Sequence, residues 1–147
     1  MKIFLFFTFF ITCILCNAQE AIVSSADLIG TKWKHDIGDF YSRSYEEIVE
    51  FSPTEMTTVI NQFTKNKVST FKSIYYTSNI IPTGFSTELV GKNLPKGKYL
   101  VELDETWKIM RVHKIEKFTA DSLILNIVNL DEHTYGVASL NKYVRIK

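Results

Sequence analysis

Apolar and polar residues alternate along most of the chain after Gly30, in short segments rich in Tyr, Phe, Val, Ile and Thr. A period of two with these residue types is typical of half-buried β-strands. The segments number about eight. They are roughly Thr31–Ile37, Tyr45–Phe51, Met56–Thr64, Val68–Ser78, Lys98–Leu103, Thr106–Lys117, Ser122–Asn129 and Leu140–Lys147.

Clusters of turn residues separate these segments, among them Gly38-Asp39, Lys65-Asn66-Lys67 and Asp104-Glu105. Short connections imply that consecutive strands are antiparallel neighbours. A sheet of so many strands has two exposed edges unless it closes on itself. We therefore predict an all-β fold, a single antiparallel up-and-down β-barrel of about eight strands. The interior of such a barrel is filled by side chains or holds one small ligand.

Two segments depart from this pattern. Residues 19–30 form a lead-in, in which Ser24 or Ser25 can cap a single helical turn and Gly30 can end it in a left-handed conformation. The connection 79–97 is long and contains three glycines and two prolines. We expect it to be a lid over an open barrel end or to hide a ninth strand. No internal repeat is visible, so residues 31–147 are predicted to be one barrel domain.

The period of two also predicts which side chains face the barrel interior. In several strands one face is apolar and the other carries charges, as where Lys98 and Glu102 oppose apolar neighbours. The predicted inward sets are Tyr45, Val49 and Phe51; Tyr99, Val101 and Leu103; Trp107, Ile109, Arg111, His113 and Ile115; and Leu123, Leu125 and Ile127.

Arg111 and His113 are the candidate polar anchors for a ligand, because charged side chains with an inward phase are unusual unless they are paired or functional. They could orient a carboxylate or another anion inside an apolar cup. Two alternatives stay open, a bulge that turns both outward and an internal salt bridge with Glu47. Aromatic rings would complete this ligand site, namely Trp107, Tyr99 and Tyr75.

Residues 1–18 have the composition of a secretory signal peptide. Lys2 precedes an apolar run, and Cys16-Asn17-Ala18 offers a small-x-small cleavage site after Ala18. The run is short for a membrane span, which makes an uncleaved anchor the weaker alternative. A lipoprotein modified at Cys16 is disfavoured, because Leu15 stands where lipoprotein signals have a small residue.

Export sets limits on the rest of the chain. Both cysteines fall in the signal, which excludes thiol chemistry and thiolate metal sites from residues 19–147. The absence of an Asn-x-Ser/Thr sequon favours a bacterial envelope, with the protein in the periplasm or outside the cell. The chain has 17 Lys and Arg against 16 Asp and Glu, and Lys2 leaves with the signal. This balance of basic and acidic residues does not indicate the excess of positive charge that nucleic-acid binding requires.

No catalytic or metal-binding motif is present. Residues 84–88 begin like a nucleophile elbow but lack its second glycine. His35 and Asp36 are neighbours in a strand and so point to opposite faces. Asp131-Glu132-His133 lies in a polar connection where acidic residues are expected. We therefore predict a protein that is not an enzyme and has no cofactor or metal.

Residues 27–34, which read Asp27-Leu28-Ile29-Gly30-Thr31-Lys32-Trp33-Lys34, resemble the opening of the lipocalin-like and calycin families. The resemblance implies that Trp33 plugs one barrel end after Gly30. It also implies that Arg145, in the closing Asn141–Ile146 segment, stacks over Trp33. Two residues separate Gly30 from Trp33 where lipocalins usually have one, and this spacing also resembles small exported bacterial β domains of META type.

Two functions follow from these expectations. The first is an exported lipocalin-like domain that binds a small apolar or amphipathic ligand in the barrel. The alternative is a protein-interaction module of the envelope, such as an inhibitor, an immunity-type protein or an assembly accessory, with a solid core. An internal cavity would distinguish the two.

Overall fold

The computed structural model of this chain describes residues 21–92, 96–128 and 140–147. In that part of the chain eight antiparallel strands close into one up-and-down barrel, in sequence order, with the last paired to the first. The predicted all-β fold and barrel are confirmed. Residues 1–18, for which a signal peptide is predicted, and residues 131–133 lie outside the described residues. The strands are β1 (Lys32–His35), β2 (Tyr45–Phe51), β3 (Glu55–Gln62), β4 (Lys67–Ser78), β5 (Tyr99–Asp104), β6 (Met110–Phe118), β7 (Ser122–Val128) and β8 (Leu140–Arg145).

Two short helices lie next to β1. Helix α1 (Ser25–Leu28) begins at the Ser24 cap, where Ser24 and Asp27 bond to each other's backbone N–H in a capping box. Helix α2 (Gly38–Ser42) replaces the tight turn predicted there, and β1 ends at His35 instead of Ile37. Among the described residues, no helix has the length and apolar character that a membrane crossing requires.

The barrel end at which β1 begins is closed by Trp33, which is fully buried. Its indole Nε1 donates a hydrogen bond to Oγ1 of Thr31 at 2.7 Å. The guanidinium carbon of Arg145 lies 5.6 Å from the ring centroid, within the range of a cation–π contact. Gly30 has a φ of +72°, and its N–H donates to the carbonyl of Phe51. This end of the barrel is therefore closed by a packed aromatic side chain, and the indole N–H of that side chain is hydrogen-bonded.

The inward phase predicted for β5 is wrong. Leu100, Glu102 and Asp104 face the barrel interior, whereas Tyr99 and Val101 pack on its outer wall. The prediction assumed that an apolar face must point inward. Both faces of β5 are buried, because a second apolar cluster packs against the outer face of the barrel wall at this strand.

The long connection between β4 and β5 provides that outer cover. Its residues Phe85, Leu89 and Val90 pack against Tyr76, Val101 and Val112 of the barrel wall. The described part of the connection contains one 3₁₀ turn, Thr87–Leu89, and no strand. It is therefore neither a ninth strand nor a lid over the open end, which corrects both expectations for this segment.

Candidate functional site

A cavity of about 310 Å³ lies inside the barrel, above the plug formed by Trp33. This volume falls at the lower end of the range for small-molecule pockets. The floor of the cavity is apolar, because the ends of four strands near the plug contribute hydrophobic side chains there. These floor residues are Phe51, Met56, Leu100, Leu123 and Leu125.

A charged cluster lines the cavity on β5 and β6, where register pairs Glu102 with Arg111. Oε1 of Glu102 accepts from Nη1 of Arg111 at 3.1 Å and lies 3.3 Å from Nε2 of His113. Glu102 is only 4% exposed and His113 is buried, whereas the Arg111 side chain is 39% exposed. The cluster is therefore a buried ion-pair network that reaches solvent through Arg111.

Two opposing effects act on the carboxyl of Glu102. Burial works to raise its pKa, but the hydrogen bond and charge of His113, together with the guanidinium of Arg111, outweigh burial and hold the pKa below its ordinary value. The carboxylate is therefore ionised at neutral pH. Oε2 of Glu102 and Nδ1 of His113 are buried with no hydrogen-bond partner among the described residues.

A second polar cluster lies across the cavity and joins β1, β2 and β8. The Tyr143 hydroxyl donates to Oε1 of Glu47 at 3.2 Å, and Nδ1 of His35 lies 3.2 Å from Oε2 of the same carboxylate. The rings of His35 and Tyr143 stack with centroids 4.8 Å apart. Burial and the charge of Glu47 raise the pKa of Tyr143, so the phenol stays protonated as a donor. Glu47 thus has a partner for each oxygen.

The turn between β5 and β6 stands at the mouth of the cavity. Oδ1 of Asp104 accepts from the backbone N–H of Thr106 and Trp107, each at 2.8 Å, and Lys108 has a φ of +55°. This turn delays the start of β6 to Met110, four residues later than predicted. Trp107 lines the cavity and is 69% exposed, so it forms part of the rim.

The structure brings three of the five predicted ligand-site residues together. Arg111, His113 and Trp107 line the cavity. Tyr75 faces inward below it, where its hydroxyl donates to the carbonyl of Ser52 at 2.7 Å and burial raises its pKa to about 12. Tyr99 lies on the outer wall beneath the long connection.

Sequence reasoning missed the carboxylates of the cavity. The alternation predicts an outer position for Glu102, and it offers Glu47 only as a salt-bridge partner of Arg111 and His113. The structure pairs Arg111 with Glu102 and Glu47 with His35, which corrects that pairing. Little in the sequence indicates these carboxylate partners, because the partner of an inward-facing cation can be identified only when the strand register is known. Among the described residues no group of three or more His, Cys, Asp or Glu is placed to hold a metal ion.

Fold and cavity together define an eight-stranded up-and-down barrel with a plugged end and an internal cup whose wall is charged. This architecture is consistent with a calycin-like fold. No protein-family model, curated protein or solved structure matches the chain. Any function must therefore be argued from the cup itself.

Proposed function

We propose that this protein is an exported, non-enzymatic barrel of lipocalin-like character that binds one small amphipathic molecule in its cup. The observation that supports the proposal is the cavity of about 310 Å³, with an apolar floor and a charged wall. Ligand pockets are typically apolar cavities with a few placed polar groups that fix orientation. The solid core expected for a pure interaction module does not account for such a space.

Native mass spectrometry of protein purified gently from its own host tests this proposal. The expected result is a reproducible added mass of a few hundred daltons, on the order of a small ligand for a cavity of this size, which is lost on denaturation. The mass of the bare protein also tests removal of residues 1–18 in the same spectrum. Repeated preparations that contain only bare protein, and that bind no added amphiphile, would contradict the proposal.

A protein-interaction role is the second candidate, and exposed apolar side chains at one barrel end favour it. Phe63 and Val68 flank the β3–β4 turn, while Trp107 and Ile109 lie in the β5–β6 turn, and all four are at least half exposed. Antiparallel order puts both turns at the same end of the barrel. If this candidate is right, a stoichiometric envelope partner co-purifies with the protein and is lost in a Trp107→Ser, Ile109→Ser double variant.

A further inference from the structure

The charges of the cup are not those of an anion site. Three carboxylates line it, those of Glu47, Glu102 and Asp104, against the guanidinium of Arg111 and the imidazole of His113. An imidazole carries positive charge only when it is protonated. Among the described lining residues, the carboxylates therefore outnumber the permanent cation three to one.

Arg111 is also engaged already. Its Nη1 lies 3.1 Å from Oε1 of Glu102, a carboxylate that is itself almost fully buried. An anionic ligand that approached Arg111 would compete with Glu102 and would be repelled by it. The expectation that Arg111 holds an anion therefore conflicts with the partner that the fold gives it.

Glu102 instead offers a free acceptor. Oε2 of this buried carboxylate has no partner among the described residues, whereas Glu47 bonds through both of its oxygens. A buried carboxylate oxygen without a hydrogen bond is costly, so a group that donates to it gains more than it would in water.

We propose that the cup selects ligands whose polar end is a positively charged hydrogen-bond donor, an organic ammonium group, received by Oε2 of Glu102. This inference rests on the proposed ligand-binding function and specifies its ligand class. An ammonium group brings three N–H donors and a positive charge to an ionised carboxylate oxygen that has no partner among the described residues. The apolar body of the ligand would lie toward Leu100, Leu123 and Leu125 on the floor.

Three probes that differ only in the polar end test the inference: octylamine, octanol and octanoate. Binding to the purified protein is measured by calorimetry and by the fluorescence of Trp107, since the other tryptophan, Trp33, is buried at the far end. We expect octylamine to bind about tenfold or more tighter than octanol, because a charge-assisted hydrogen bond is stronger than a neutral one. Octanoate should bind weakest.

Two glutamine variants identify the acceptor. Glu102→Gln keeps the shape of the side chain and should remove most of the amine preference. Glu46→Gln is the matched control, because Glu46 pairs with Lys34 and Asn61 away from the cup, and it should leave all three affinities unchanged. Glu47→Gln changes a cup carboxylate whose oxygens are both occupied, and its effect should be smaller than that of Glu102→Gln.

The outcomes separate this inference from the proposed function. Octanoate binding as tightly as octylamine would overturn the inference and leave a ligand-binding barrel with an anion anchor. An amine preference that persists in Glu102→Gln would overturn the role of Glu102. If none of the three probes binds the wild-type protein, the inference fails; the proposed function fails with it when preparations from the host also contain only bare protein. If Glu102→Gln does not fold, the order of the three probe affinities on the wild-type protein still tests whether the cup prefers an ammonium group.

Discussion

The two ends of the barrel differ in how completely their buried groups are partnered. At the plugged end Trp33 is fully buried, its indole N–H is bonded to Thr31, and Arg145 covers its ring. Toward the open end Glu102 and His113 are buried as well, yet each has a polar atom that finds no partner in the part of the chain that the structure describes. The buried polar atom of the plug is therefore hydrogen-bonded, whereas the cup retains buried polar atoms that the proposed ligand would bond.

Replacing the two tryptophans by alanine is the largest test of this difference, because one lies at each end. Trp33→Ala empties the plug and should lower the free energy of unfolding by about 3–5 kcal/mol. Trp107→Ala removes an exposed rim side chain and should change that free energy by about 0.5 kcal/mol or less. Chemical denaturation of both variants measures the two values.

Ligand binding should show the reverse order. Trp107→Ala should weaken octylamine binding, since its ring lines the cup, whereas any folded fraction of Trp33→Ala should keep the affinity of the wild type. Equal losses of stability in the two variants would show that the ends do not differ as described.

The next largest expected effect is the loss, at acid pH, of the contribution that the Glu102 carboxylate makes to the free energy of unfolding. Its pKa is lowered in the folded protein by His113 and Arg111 against the opposing effect of burial, so the ionised carboxylate stabilises the fold above the ordinary glutamate pKa of about 4.3. That contribution is lost as the pH falls through the lowered folded value. Near neutral pH, Glu102→Gln should be less stable than wild type by about 1.5–3 kcal/mol, the range for hydrogen bonds to charged groups.

Denaturation curves of both proteins between neutral pH and about pH 2 check this sign, since the interval spans the range in which glutamate titrates. The stability difference between them should shrink once the pH is below about 4. The other titratable groups that line the cup are common to both proteins, namely Glu47, Asp104, Arg111, His113 and Tyr143. A difference that stays constant down to the acid limit would mean that Glu102 does not titrate as described.

Most of the fold could be predicted because its connections are short. Strand β2 has the predicted bounds, and β7 begins at the predicted Ser122. Turn residues fix such boundaries locally. The phase of β5 could not be predicted, since Leu100 and Val101 are neighbours and both are buried. Alternation identifies the inner face only where the outer face meets water.

The candidate site was predictable in part for a related reason. Arg111 and His113 share a phase with apolar neighbours within one strand, so the sequence favours an inward position for both, with an outward bulge as the alternative. Glu102 is on another strand, and its burial depends on cross-strand partners that only the register brings together. The apolar residues Phe85, Leu89 and Val90 were the available sign that the long connection packs against the wall.

The smallest of the three expected effects on stability concerns the hydrogen bonds that hold the β4–β5 connection at the plugged end of the barrel. Gly97 exchanges two backbone hydrogen bonds with Val23, and a Cβ at Gly97 would lie 2.5 Å from the carbonyl carbon of Ser78. The backbone of Ser78 cannot move aside as easily as the tip of a side chain, so Gly97→Ala should push residue 97 away from Ser78 and disturb its hydrogen bonds with Val23. We expect a loss of about 1–3 kcal/mol in the free energy of unfolding.

Gly84→Ala is the matched control, because it lies in the same connection with open space around its Cβ position. It should change the free energy of unfolding by about 0.5 kcal/mol or less. Hydrogen exchange would locate the effect of Gly97→Ala, with faster exchange expected at the Val23 amide. Octylamine binding should be unchanged in both variants, because neither glycine lines the cup. Weaker binding in Gly97→Ala alone would instead show that the outer cover of β5 holds Glu102 in place, and the two ends would then be coupled through that strand.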